Sequence, residues 1–144
     1  MERAVDGLRQ AGHQEFIVRG LLARAEYYRV TGDLNKAQKD LDEAFSIASR
    51  GGMGLHLADC HLEYARLSLR ARSAKQSPDW MMSPDGKEIA SGGVSIRLSD
   101  YSTFALAMTE MAREHWGIAK ESIEEMGYHR RDREMEELEE ALSS

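Results

Sequence analysis

Displaced by 40 residues, this chain matches itself: E-R-A-V-D-G-L-R-Q-A-G from Glu2 lies over D-E-A-F-S-I-A-S-R-G-G from Asp42, with Ala4 on Ala44 and Gly12 on Gly52. The same ending returns as I-A-K-E-S-I-E-E-M-G, placing Ala119 and Gly127 in register, but 75 residues after Ala44 and Gly52. The last unit is therefore longer than the first by 35 residues. Repetition at this period marks an array of stacked helix pairs, in which each unit buries its apolar face only against its neighbours. Function in such an array is expected on the faces that the stack presents rather than in a catalytic constellation.

The local pattern agrees. From Phe16 to Val30, Leu21, Ala25 and Tyr28 recur at i, i+4, i+7, the stripe of an amphipathic helix. Gly32 suits a left-handed helix end and Asp33 a cap on the next helix, expected over Leu34 to Ser49 with the stripe Ala37, Leu41, Ala44, Ala48. A third helix is expected from about Leu55 to Arg72, with Ala65 falling 40 residues after Ala25. Its partner stripe, Met108, Ala112, Trp116, Ala119, Ile123, starts late, which places an insertion at 73–107. That segment holds both prolines, and I-A-S-G-G-V-S-I-R-L around Gly92-Gly93 has the pattern of a β-hairpin. The tail from Asp132 to Leu142 spaces Met135, Leu138 and Leu142 at i, i+3, i+7, as a polar capping helix would.

Composition bounds the partners. The 144 residues suit one domain, and 19 basic against 25 acidic side chains give a net charge of −6, which disfavours nucleic acid or an anionic membrane as the main partner. Cys60 is the only cysteine, so no internal disulfide forms and a reducing cytoplasm is the expected setting. The N-terminus lacks the basic-then-apolar order of a signal peptide, and no apolar run approaches the roughly 20 residues of a membrane span.

The stretch R-G-L-L-A-R-A-E-Y-Y-R-V-T-G-D-L-N-K-A-Q-K-D-L-D-E-A-F resembles a tetratricopeptide repeat (TPR). Ala25 stands where that family has its small first-helix residue, Tyr28 where it has an aromatic, Gly32-Asp33 at its turn, and Ala37, Leu41 and Ala44 on its second helix. In the later copy Ala65, Ala112, Trp116 and Ala119 fit, while Ser68 replaces the aromatic, Arg72 the turn glycine and Gly51-Gly52 the closing proline. The resemblance implies an all-α superhelix of antiparallel helix pairs, about two and a half repeats. Its parts are a truncated repeat at 1–12, a repeat at 13–52, an interrupted repeat at 53–127 and a capping helix or tail at 128–144. The ending G-Y-H-R-R-D-R-E is similar to the tail of such arrays in bacterial signal-transducing NTPases, so the chain is expected to be the C-terminal regulatory part of a larger signalling protein. S-P-D-G-K-E-I-A-S-G-G-V-S-I-R-L-S-D from Ser83 is also similar to one strand pair of a WD-repeat blade, but one blade cannot close a propeller.

The family places its binding surface on the first helix of each pair. The resemblance therefore nominates Arg19, Leu22, Glu26 and Arg29, then Asp59, Leu62, Arg66 and Arg70, a basic-leaning groove for a protein or peptide with acidic and apolar side chains. The carboxylate clamp of chaperone-binding members needs Lys and Asn where Leu22, Glu26 and Glu63 stand, which disfavours that ligand. Trp80, Met81, Met82 and Tyr101 in the insertion are further contact candidates. The expected activity is non-catalytic scaffolding with no cofactor or metal. Two rival readings remain. One is a metal-dependent hydrolase built on His56, Cys60 and His61 with His115; the other is self-association through an apolar face around Val5 and Leu8 of the N-terminal half-repeat.

Overall fold

A computed structural model describes residues 2–74, 88–97 and 104–143. They form helices α1 (Glu2–Ala11), α2 (Gln14–Thr31), α3 (Leu34–Arg50) and α4 (Gly54–Ala74), strands β1 (Glu88–Ser91) and β2 (Val94–Arg97), then α5 (Phe104–Met126) and α6 (Asp132–Ser143). A single 3-10 turn, His129–Arg131, leads into α6. The chain is mostly helical, and α5 packs most extensively on α4 although the connection 75–103 separates them.

The turns follow from their residues. Gly32 ends α2 at φ 93°, its N–H returning to the carbonyls of Tyr28 and Arg29, and the Asp33 carboxylate accepts from the Lys36 N–H at 3.3 Å. The three glycines that the self-match superposes, Gly12, Gly52 and Gly127, have φ of 74°, 62° and 66°. A side chain with a β-carbon is strained in that left-handed region, so each unit closes on the residue type that closes it without cost. Short turns then bring consecutive helices side by side: Glu2 at the start of α1 reaches the Tyr28 hydroxyl near the end of α2.

Two cores result. The first gathers Val18, Leu21 and Ala25 of α2, Leu41 and Ala44 of α3, Leu67 of α4 and Met108 and Met111 of α5. The second joins Ala58, Leu62 and Ala65 of α4 to Ala112, Ala119 and Ile123 of α5 and to Met135, Leu138 and Leu142 of α6. The small residues let α4 and α5 approach closely, and the i, i+3, i+7 spacing on α6 delivers its apolar edge to them. Strands β1 and β2 pair antiparallel, Glu88 opposite Arg97 and Ser91 opposite Val94, around the turn at Gly92-Gly93. Val94 is buried in the first core, with Ile96 packed against it.

Several boundaries differ from the expectation. Helix α5 begins at Phe104 rather than near Met108, and α4 runs on to Ala74, so the connection is 75–103 instead of 73–107. The apolar run F-A-L-A-M has no period, which hid the first turn of α5. Val5 is 1% exposed, because α1 lies on α2 across Gly20; the apolar face expected around Val5 and Leu8 is therefore largely covered.

Candidate functional site: an ion-paired groove between α2, α4 and α6

A groove of about 470 Å³ runs between α2 and α4 and is closed at its far side by the 3-10 turn and α6. Of the eight residues nominated from the repeat, Arg19, Leu22, Glu26, Asp59, Leu62 and Arg66 line it. Arg29 and Arg70 do not. Arg29 turns toward α4 and pairs with the buried Glu63, and Arg70 lies beside Gly32, where a β-carbon would meet its Nη2 at 3.8 Å. Leu62 is only 2% exposed and forms floor rather than a seat for a side chain, whereas Leu22 is half-buried and Leu55 exposed. Trp80, Met81, Met82 and Tyr101 lie outside the described residues.

From Arg29 at its flank into the groove, the charges alternate in an unbroken series. Arg29 pairs with Glu63, which also meets Arg66 Nη1 at 3.5 Å; Arg66 Nη2 donates to Glu134 at 2.7 Å. Glu134 gives its other oxygen to Arg131 Nη1 at 2.5 Å, and Arg131 Nε donates to Asp59 at 3.0 Å. Six side chains from α2, α4, the 3-10 turn and α6 are thus joined end to end. Burial alone would raise the Glu134 pKa, but the hydrogen bonds from Arg66 and Arg131 outweigh it and hold the carboxyl below its ordinary value. At Asp59 the balance is opposite: loss of solvent raises its pKa, against the pull of Arg131. Arg131 is shared, and Glu134 has the closer of its two contacts. Desolvation opposes protonation of Arg66 and Arg131, yet their carboxylate partners raise both above the ordinary guanidinium value.

Sequence reading placed none of Tyr128, Arg130, Arg131 and Glu134 in the groove, though all four line it. They follow Gly127, where the self-match of the sequence ends, so the self-match does not reach them. The i, i+3 spacing of Arg131 and Glu134 signals a helix-end pair, but the approach of Arg131 to Asp59 is tertiary. Two rim cations, Arg19 and Arg130, make no ion pair among the described residues.

The His56, Cys60, His61 group is dispersed rather than assembled. His56 looks to the groove, its Nε2 3.7 Å from Glu15. Cys60 is fully buried, and burial pushes its thiol up to about 12, so at neutral pH it stays protonated. His61 faces the other way and shares a hydrogen bond with His115, Nδ1 to Nδ1 at 2.9 Å. The Tyr64 ring stacks on His115 at 4.8 Å, and its hydroxyl donates to Asp42 at 2.6 Å. Desolvation lowers the His61 pKa to about 4, so His61 is uncharged at neutral pH and carries one ring N–H and one lone pair. Among the described residues no group of three His, Cys, Asp or Glu is placed to hold a metal ion.

Fold and groove together define a mostly helical module with a polar, internally ion-paired cleft, and no helix among the described residues is long and apolar enough to cross a membrane. No protein-family model matches the chain, and neither the curated proteins nor the solved structures provide a match.

Proposed function

We propose that this chain is a non-catalytic protein-interaction module of tetratricopeptide type, in which helix pairs α2/α3 and α4/α5 form successive repeats, α1 is the second helix of a preceding one, and the hairpin is an insertion in the last. The observation that carries this reading is the convergence of Arg19, Leu22, Glu26, Asp59, Leu62 and Arg66 on one groove, the surface that the resemblance nominates for ligand.

The groove favours a particular ligand chemistry. Arg66 and Arg131 are neutralised from within, so the cations offered to a partner are Arg19 on α2 and Arg130 ahead of α6, with Leu22 and Leu55 between the rims. An extended or helical peptide with apolar side chains and acidic groups toward its ends fits that layout.

Selection of a displayed library of short peptides on the intact chain, followed by fluorescence anisotropy of the selected sequences, tests this. The expected outcome is enrichment of acidic and apolar peptides, with affinity lost in an Arg19→Glu, Arg130→Glu variant and retained when exposed Lys39 on α3 is reversed to Glu. Selected peptides that bind the groove variant and the parent equally would overturn the reading.

A further inference from the structure

Three of the exposed large apolar side chains lie on one stripe of α2. Phe16 is 46% exposed, Tyr27 51% and Val30 65%, and with exposed Ala23 they sit at i, i+7, i+11 and i+14. That spacing keeps all four on one face of the helix. A stripe of this kind along most of an 18-residue helix has no partner among the described elements.

The repeat itself says what kind of element the stripe receives. Forty residues on, Ala23, Tyr27 and Val30 correspond to Glu63, Leu67 and Arg70 of α4. Those positions face α2: Glu63 pairs with Arg29, Leu67 is 1% exposed, and Arg70 lies beside Gly32. The stripe on α2 is thus the side on which a neighbouring first helix stacks, and its occupant is a helix.

The stripe matches its own reverse at its two ends and its centre, while Tyr27 falls across from Arg19 of the reversed copy. When two copies of α2 run antiparallel about a twofold axis at Ala23, Phe16 meets Val30 of the other copy, and small Ala23 side chains at the axis let the backbones come close. On the groove side of the stripe Arg19 falls opposite Glu26 of the second copy, offset by about 1.5 Å along the helix. Arg19 makes no ion pair among the described residues, and Glu26 has only a 3.8 Å contact with Arg29, so both are open to a closer pairing. The charge pattern therefore complements itself twice across the axis.

We infer that this face binds a second copy of the chain, forming a twofold dimer through antiparallel α2 helices centred on Ala23. Because the axis is perpendicular to the helices, the two grooves open on the same side and meet at the interface. Arg19, Ala23 and Glu26 also line the groove, so a second copy and a peptide compete for Arg19; association is therefore measured without peptide, and Tyr27 and Val30, which do not line the groove, separate the dimer from groove binding.

Sedimentation velocity on the intact chain should show a concentration-dependent monomer–dimer equilibrium. Tyr27→Glu with Val30→Glu should weaken it about 30-fold or more while circular dichroism stays unchanged, since both positions are exposed. Arg19→Glu and Glu26→Arg should each weaken the dimer, and the two together should restore it. Cys60 is buried and the only native cysteine, so Ala23→Cys supplies a single reactive thiol at the axis. It should cross-link under mild oxidation, whereas Ser46→Cys on the exposed side of α3 should not. A strict monomer up to about 1 mM, or a dimer that ignores these substitutions and leaves Ala23→Cys uncross-linked, would overturn the inference and leave the stripe to a different protein or chain segment.

Discussion

Acidification should destabilise this protein through one histidine. His61 is 8% exposed, and its ring is held between His115, Phe45 and Tyr64. Its native pKa of about 4 lies below the 6.5 of an exposed imidazole. Between those values the unfolded chain binds a proton that the native state refuses, so stability falls as pH drops through the window and levels off below it. At about 1.36 kcal/mol per pH unit, two units of descent from 6.5 to 4.5 remove roughly 2.7 kcal/mol, a large part of a typical domain's stability. Asp42 and Asp59 act in the opposite sense, because desolvation raises their native pKa values and each gains stability as pH falls. The histidine is therefore isolated by difference: urea unfolding, followed by circular dichroism at pH 7 and pH 4.5, on the parent and on His61→Gln. The amide keeps a hydrogen-bonding group toward His115 but does not titrate. The parent should lose about 2 to 3 kcal/mol more than the variant over this interval. Equal losses would show that His61 titrates as freely as in the unfolded chain and would refute the argument.

Glu134→Gln removes the carboxylate shared by Arg66 and Arg131 and should cost about 1 to 2 kcal/mol in thermal unfolding, below the fully buried range because all three groups keep some contact with water. An unchanged melting temperature would mean that the bridge contributes nothing. Gly92→Ala combines a positive φ of 58° with a β-carbon driven into the Tyr64 ring, so hydrogen exchange at Val94–Arg97 should accelerate while α3 remains protected. Leu41→Ala opens a cavity at a position with no exposure and should cost about 2 to 5 kcal/mol in denaturant unfolding.

Helices α2, α3 and α4 were legible because local chemistry decides them: a glycine end, an aspartate cap and an unbroken apolar stripe all agree. The walls of the groove on α2 and α4 were legible for the same reason, since helices that match each other in sequence place corresponding residues on corresponding faces. Its far wall was not: Tyr128, Arg130 and Arg131 precede α6 and Glu134 lies on it, beyond the self-match, and the second core with the ion pairs to Arg66 and Asp59 brings them there. The sequence also suggested free arginines where the fold supplies internal carboxylates. Arg29 shows why: its position on the helix is periodic, but the buried Glu63 that captures it lies 34 residues away. His56, Cys60 and His61 show the converse, for closeness along the chain sends them to three different environments around one helix.

The alternating series from Arg29 to Asp59 gives the last helix two fastenings of unlike character. Met135, Leu138 and Leu142 hold α6 by exclusion of water, which moderate salt leaves intact, whereas Glu134 and Arg131 hold it by attraction between partly solvated charges, which salt screens. Salt acts on the second fastening alone, and only in part, because these charges keep most of their surface from water. The packing of α6 sets where the groove's outer wall stands, and the ion pairs set which way its charged side chains face.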